Sequence, residues 1–135
     1  MSKRIDFSLI RSHHRLWVMD IGNYVNSMTG SVAAAKLPTE CELGKWMIMV
    51  KGQYDLRALE LVHDRLHSIG NGLIDMMPER AEEAKTGYDR LKEVSTEVIK
   101  EIDKIINKLT ESGIYVCYRL YSFAFKFGVL SFLKF

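Results

Sequence analysis

The sequence predicts an all-α protein: an antiparallel four-helix bundle with a short additional helix that carries a cysteine. Three observations predict it. Apolar residues recur at alternating spacings of three and four along most of the chain, the period of a helix with one buried face. Pro38 and Pro78 both fall between such stretches, as punctuation. Apolar stripes of similar length must cover one another, and an antiparallel bundle does this with short connections.

The first helix is expected from Asp6 to Met28. Ile10, His14, Trp17, Ile21, Tyr24 and Met28 form its inward stripe. Thr29-Gly30-Ser31 supplies stop signals, and 33–36 reads as a loop or short turn before Pro38. A short second helix is expected from Thr39, as N-cap, with Cys41 in its first turn. There the helix dipole and unpaired backbone N–H groups favour a thiolate. Gly44 lies on the same side as Cys41 and would admit a neighbouring helix, Trp46, Met47 and Val50 point inward, and Gly52 ends the segment.

The third helix is expected from Asp55 to Met76, with Leu56, Leu59, His63, Leu66, Gly70, Leu73 and Met77 on one face. His63 stands where the pattern asks for an apolar residue, and His67 comes one turn later on that face. The fourth helix is expected to start after Pro78, a suitable first-turn residue, with Glu79, Glu82 and Glu83 at its positive end. Its stripe is Ala84, Tyr88, Leu91, Ser95, Val98, Ile102, Ile105 and Leu109. Glu97 with Lys100, and Glu101 with Lys104, are its expected surface pairs.

Residues 1–112 therefore read as one domain, and 113–135 as an aromatic-rich tail. The tail contains Tyr115, Tyr118, Tyr121, Phe123, Phe125, Phe127, Phe132 and Phe135, with Arg119, Lys126, Lys134 and no acidic residue. A membrane span is not expected, because Arg119 and Lys126 would each cost about 2.5–3.5 kcal/mol near the bilayer centre. A buried last helix, a partner-binding segment, an interfacial anchor and a read-through tail remain open for it.

With 135 residues and a net charge of +2, the chain carries no basic run or aromatic-basic interleave that would indicate nucleic acid. Cys41 and Cys117 do not make a disulfide framework. The opening Met-Ser-Lys-Arg-Ile-Asp-Phe lacks the apolar core of a signal peptide. A reduced, cytoplasmic setting is expected.

The chemistry concentrates in His14, Cys41, His63 and His67. One sulfur and three imidazoles are the number and type that close a tetrahedral zinc site. His13 competes with His14, but only His14 falls on the stripe with Ile10, Trp17 and Ile21; His13 points about 100° away. Four protein ligands leave no position for water or substrate, which argues against an enzyme. No His-Glu-x-x-His, phosphate loop or nucleophile elbow appears in the sequence. Asp64 and Asp20 are candidate outer acceptors for imidazole N–H groups.

His14-x-x-Trp17, then Cys41-x-Leu43-Gly44-x-Trp46, then His63-x-x-x-His67 resembles the bacterial chemoreceptor zinc-binding (CZB) domain family over about residues 5–110. The resemblance implies His14, Cys41, His63 and His67 as zinc ligands and Trp17, Leu43, Gly44 and Trp46 as packing positions. It implies a cytoplasmic sensory bundle, often homodimeric, attached to chemoreceptors or diguanylate cyclases, that senses zinc or oxidants such as hypochlorous acid through the cysteine. Neither a methyl-accepting region nor a cyclase domain is expected within these 135 residues, and the 16-residue gap between Trp46 and His63 is slightly short for the family.

Each piece also has a plainer reading. A lone core histidine, a solvated histidine pair and a small buried cysteine would together leave a metal-free helical interaction module, with the tail as its docking segment. A di-iron bundle is disfavoured, because its His/Glu ligand spacing is missing.

Overall fold

The structure is a computed structural model and describes residues 5–27 and 33–111. Those residues form α1 (Phe7–Ser27), α2 (Glu42–Met49), α3 (Arg57–Met76) and α4 (Ala81–Glu111), with a 3-10 turn at Pro38–Glu40. The fold is an all-α bundle. Among the described residues the short cysteine-bearing helix is itself one of the four helices, rather than an addition to four long ones. Met28, the stop signals at 29–31 and the tail at 113–135 lie outside the described residues.

The chain divides into two compact units, Met1–Ile102 and Asp103–Phe135. In the second, the described residues are the last turns of α4. The candidate ligands all belong to the first unit.

Each helix begins and buries its stripe for local reasons. The Asp6 carboxylate accepts from the Leu9 N–H at 3.1 Å, which caps α1. Phe7, Ile10, His14, Trp17, Ile21 and Val25 are its buried face, and Leu9, Leu16 and Met19 remain exposed. On α3 the buried set is Leu59, His63, Leu66, His67, Gly70 and Leu73. On α4, Ala84, Leu91, Val94, Val98 and Ile102 are fully buried and Ser95 nearly so. Burying each large aliphatic side chain contributes about 1.5–3 kcal/mol, which is what holds the helices together.

Pro78 is not in the first turn of α4. Met77 ahead of it is extended, at φ −83° and ψ 145°, as a residue before proline prefers, so the helix starts three residues later at Ala81. α3 and α4 then run antiparallel, since Leu73 packs at Gly87 while Arg65 pairs with Glu97 at 3.7 Å. α1 instead runs parallel to α3. His14 lies against His63, Trp17 stacks on His67, and Trp17 and Ile21 both reach Gly70. The connection carrying α2 takes the chain back to the starting end, so consecutive long helices are not all antiparallel neighbours. A methyl group at Gly70 would sit 2.6 Å from the Trp17 ring, so this close approach requires glycine.

Exposed pairs decorate α4: Lys85 with Glu82, Arg90 with Glu93 and Lys92 with Asp89, each at i,i+3. Exposed to solvent and screened by it, these pairs contribute little to stability. Glu97, expected to pair with Lys100, faces Arg65 of α3. Among the described residues, no helix is long and apolar enough to cross a membrane.

Candidate metal centre

Three segments bring the candidate ligands together. α1 supplies His14 on its buried face, the start of α2 supplies Cys41, and α3 supplies His63 and His67 one turn apart. Their ligand atoms all lie within 4.8 Å of one another. His13, by contrast, is exposed.

Cys41 is the N-cap of α2, the place expected for Thr39. Its Sγ accepts from the Gly44 N–H at 3.3 Å, and its own backbone is extended at φ −87° and ψ 154°. Proline at 38 tightens the preceding residues into a separate 3-10 turn, so α2 begins only at Glu42. Gly44 does not admit a helix. A Cβ there would stand 1.8 Å from the Pro38 carbonyl oxygen, so the glycine lets that turn fold back onto α2 and fixes the sulfur's position.

The spacing suits one cation. Tetrahedral bonds of zinc length place sulfur and nitrogen about 3.6 Å apart, and two nitrogens about 3.4 Å apart. Cys41 Sγ is 3.8 Å from His14 Nε2 and 3.0 Å from His63 Nε2, and the Nε2 atoms of His63 and His67 are 3.1 Å apart. The outer ring nitrogens settle two tautomers. His14 Nδ1 is 2.9 Å from the Ile10 carbonyl oxygen and His67 Nδ1 is 2.8 Å from that of Lys36. Each Nδ1 must therefore donate, which leaves the Nε2 lone pair facing inward. Lone pairs turned on each other at such distances repel unless a proton or a metal ion sits among them. The donor set fits zinc, with soft sulfur and borderline imidazole.

The outer acceptors are backbone carbonyls, not Asp64 or Asp20 as the sequence suggested. Both aspartates are exposed. His63 is fully buried, and its Nδ1 has no hydrogen-bond partner.

Burial decides the protonation of all four groups. It holds His63 down to about 3, with His67 and His14 adding to the effect. It also lowers His14 and His67, against the opposing pull of their carbonyl partners. Burial raises the Cys41 thiol above its ordinary value, although the N–H groups of Gly44 and Leu43 work the other way. The thiolate expected at this helix start therefore needs a bound cation to form at neutral pH. A cleft of about 250 Å³ lined by Ile10, His14, Trp17, Lys36, Cys41 and His67 opens onto the cluster. Cys41 is half-buried and lines it, whereas His63 is fully buried and does not.

Residues 14–74 match the family model of the chemoreceptor zinc-binding domain. The match runs from the first candidate ligand past the last and shows the resemblance read from the sequence. Over these residues the chain is similar to a chemoreceptor zinc-binding domain, and zinc is the cofactor that this similarity and the His14, Cys41, His63 and His67 cluster support. No curated protein and no solved structure matches the chain.

Sequence reasoning missed the atoms that orient this domain's histidines. The Ile10 and Lys36 carbonyls leave no side-chain signature. Asn71 did leave one: an amide four residues after His67, on the same face of α3. Its side chain holds the Lys36 backbone.

Proposed function

We propose that His14, Cys41, His63 and His67 bind one zinc ion, and that the chain is a sensory or regulatory domain of bacterial signalling controlled by the state of that site. The observation that carries this reading is the convergence of four donor atoms within 4.8 Å. Two of the three imidazoles are locked with their lone pairs inward. With four protein ligands zinc has no position for substrate, so the role is regulatory rather than catalytic.

The proposed stimulus is zinc itself or an oxidant, in chemotaxis or cyclic-di-GMP control. The half-buried Cys41 at the cleft supports an oxidant route. Hypochlorous acid would oxidise the thiolate to a sulfenic acid and be reduced to chloride, weakening one of four metal bonds. The start of α2 would then be free to shift, which is the two-state element a switch requires. A cytoplasmic homodimer acting on a chemoreceptor or diguanylate cyclase is the assembly this reading implies.

Metal quantification tests it. Purified with zinc and without chelator, the protein is expected to hold about one zinc per chain. Cys41→Ala is expected to lose it, and hypochlorous acid to release it from wild type only. An empty wild-type protein refutes the assignment. Zinc that stays bound after complete oxidation of Cys41 refutes the oxidant route.

A further inference from the structure

His67 differs from His14 in what orients it. The Nδ1 of His14 bonds the carbonyl of Ile10, four residues earlier in the same helix, so α1 itself fixes the acceptor. The acceptor for His67 is the carbonyl of Lys36, which lies in the non-helical segment 33–37. No helical ladder holds that oxygen in place. Asn71 does. Its Nδ2 donates to the same Lys36 carbonyl at 2.9 Å, and its Oδ1 accepts from the Lys36 N–H at 3.0 Å. One side-chain amide thus grips both polar groups of one backbone residue. The carbonyl's two lone pairs serve the two α3 side chains, His67 at 2.8 Å and Asn71.

We infer that Asn71 is a positioning residue for the metal site, aiming His67 Nε2 at the ion through the Lys36 carbonyl that both side chains bond. The inference rests on the zinc assignment proposed for His14, Cys41, His63 and His67. The segment is secured a second time, where Trp17 Nε1 donates to the Ala34 carbonyl at 2.9 Å while its ring stacks on His67 at 4.9 Å. Trp17 keeps the ring's tilt, and Asn71 keeps the acceptor at the ring's far nitrogen. Removing the amide leaves Trp17 to hold the segment near by, but frees the Lys36 carbonyl to turn away. His67 then loses its tautomer lock and its orientation, and a ligand so freed binds metal less tightly.

The test uses the full chain and zinc ion. Asn71→Ala and Asn71→Asp are compared with wild type in three measurements. These are zinc affinity by competition with a chromophoric chelator, melting of the chelator-treated protein, and exchange of the His67 and His14 Nδ1 protons by nuclear magnetic resonance in the zinc-bound form. Asn71→Ala is expected to bind zinc about ten- to a hundredfold more weakly. His67 Nδ1–H should exchange faster while His14 Nδ1–H does not change, and the zinc-free melt should stay near wild type. Asn71→Asp keeps the size of the side chain and the acceptor for the Lys36 N–H, but cannot donate to the carbonyl. It is expected to behave like alanine, and it carries the test should alanine fail to fold. The inference is overturned if either variant that folds binds zinc within twofold of wild type, or if both histidine protons quicken together. A wild-type protein that takes up no zinc overturns the metal assignment, and this inference with it. A zinc-binding wild type with unaltered variants overturns this inference alone.

Discussion

Gly44→Ala puts the geometry of the cysteine under the most direct strain. The added Cβ would meet the Pro38 carbonyl oxygen at 1.8 Å and the Pro38 carbonyl carbon at 2.8 Å. Both are backbone atoms and neither can rotate away. Carbon and oxygen tolerate no approach closer than roughly 3.0–3.2 Å, so the turn and α2 must part by about 1.2 Å or more. Cys41 lies between them and its sulfur is hydrogen-bonded to the Gly44 N–H itself, so it moves with the displacement. A metal bond accepts about 0.2 Å of error. The expected result is a zinc affinity at least about a hundredfold lower, as for a lost ligand or worse, with most helical circular dichroism retained, because α1, α3 and α4 do not pass through this contact. Gly72→Ala is the control: nothing lies within 4 Å of a Cβ there, and the residue is inside α3. It should leave zinc affinity unchanged and stabilise the protein by about 0.4–1 kcal/mol. Chelator competition and thermal melts read both. A Gly44→Ala protein that binds zinc like wild type would refute the claim that this contact sets the sulfur's position.

Other perturbations give equally definite expectations. The zinc-free protein should lose stability as pH falls from about 6.5 toward 3. His63 stays neutral in the fold down to about 3, while the unfolded chain protonates it near 6.5, so acid favours unfolding across that window. His63 alone amounts to about 1 kcal/mol at pH 5.5 and about 3 at pH 4.5, and His14 and His67 add in the same direction. Denaturant melts at several pH values check this, and a flat profile contradicts it. Zinc binding at pH 7.5 should release about one proton, from the Cys41 thiol that burial holds protonated, since the three imidazoles are already neutral. Calorimetry in buffers of different ionisation enthalpy counts it, and a release near zero or three would contradict these protonation states. Trp17→Phe should keep the core filled but lose the indole bond to Ala34, lowering zinc affinity by severalfold with a melting point only a few degrees down.

Much of this was legible in the sequence, and what was not has identifiable causes. The helical stripes carried their signal because burial selects apolar residues at a fixed period. His14 could be separated from His13 because only one of them shares the face of Ile10 and Trp17. The histidine pair could be placed because i,i+4 residues on one helix are neighbours whatever surrounds them. Topology was less visible: the parallel course of α1 and α3 depends on how the connection through α2 returns, and no local period encodes that. The capping role of Cys41 was missed because Thr39 is the commoner cap, and because Pro38 breaks the turn in a way that depends on Gly44's backbone contact. The outer acceptors were mistaken for Asp20 and Asp64 because backbone carbonyls, the groups actually used, are the same in every residue. The Cys41 thiol was expected to be acidic on helix-dipole grounds, but desolvation outweighs the two N–H bonds that favour the anion.

X-ray absorption at the zinc edge addresses the central claim most directly. One sulfur at about 2.3 Å and three nitrogens at about 2.0–2.1 Å are expected around a single ion, with the sulfur lost in Cys41→Ala. A shell of oxygen and nitrogen alone, or one that keeps its sulfur in that variant, would contradict the account.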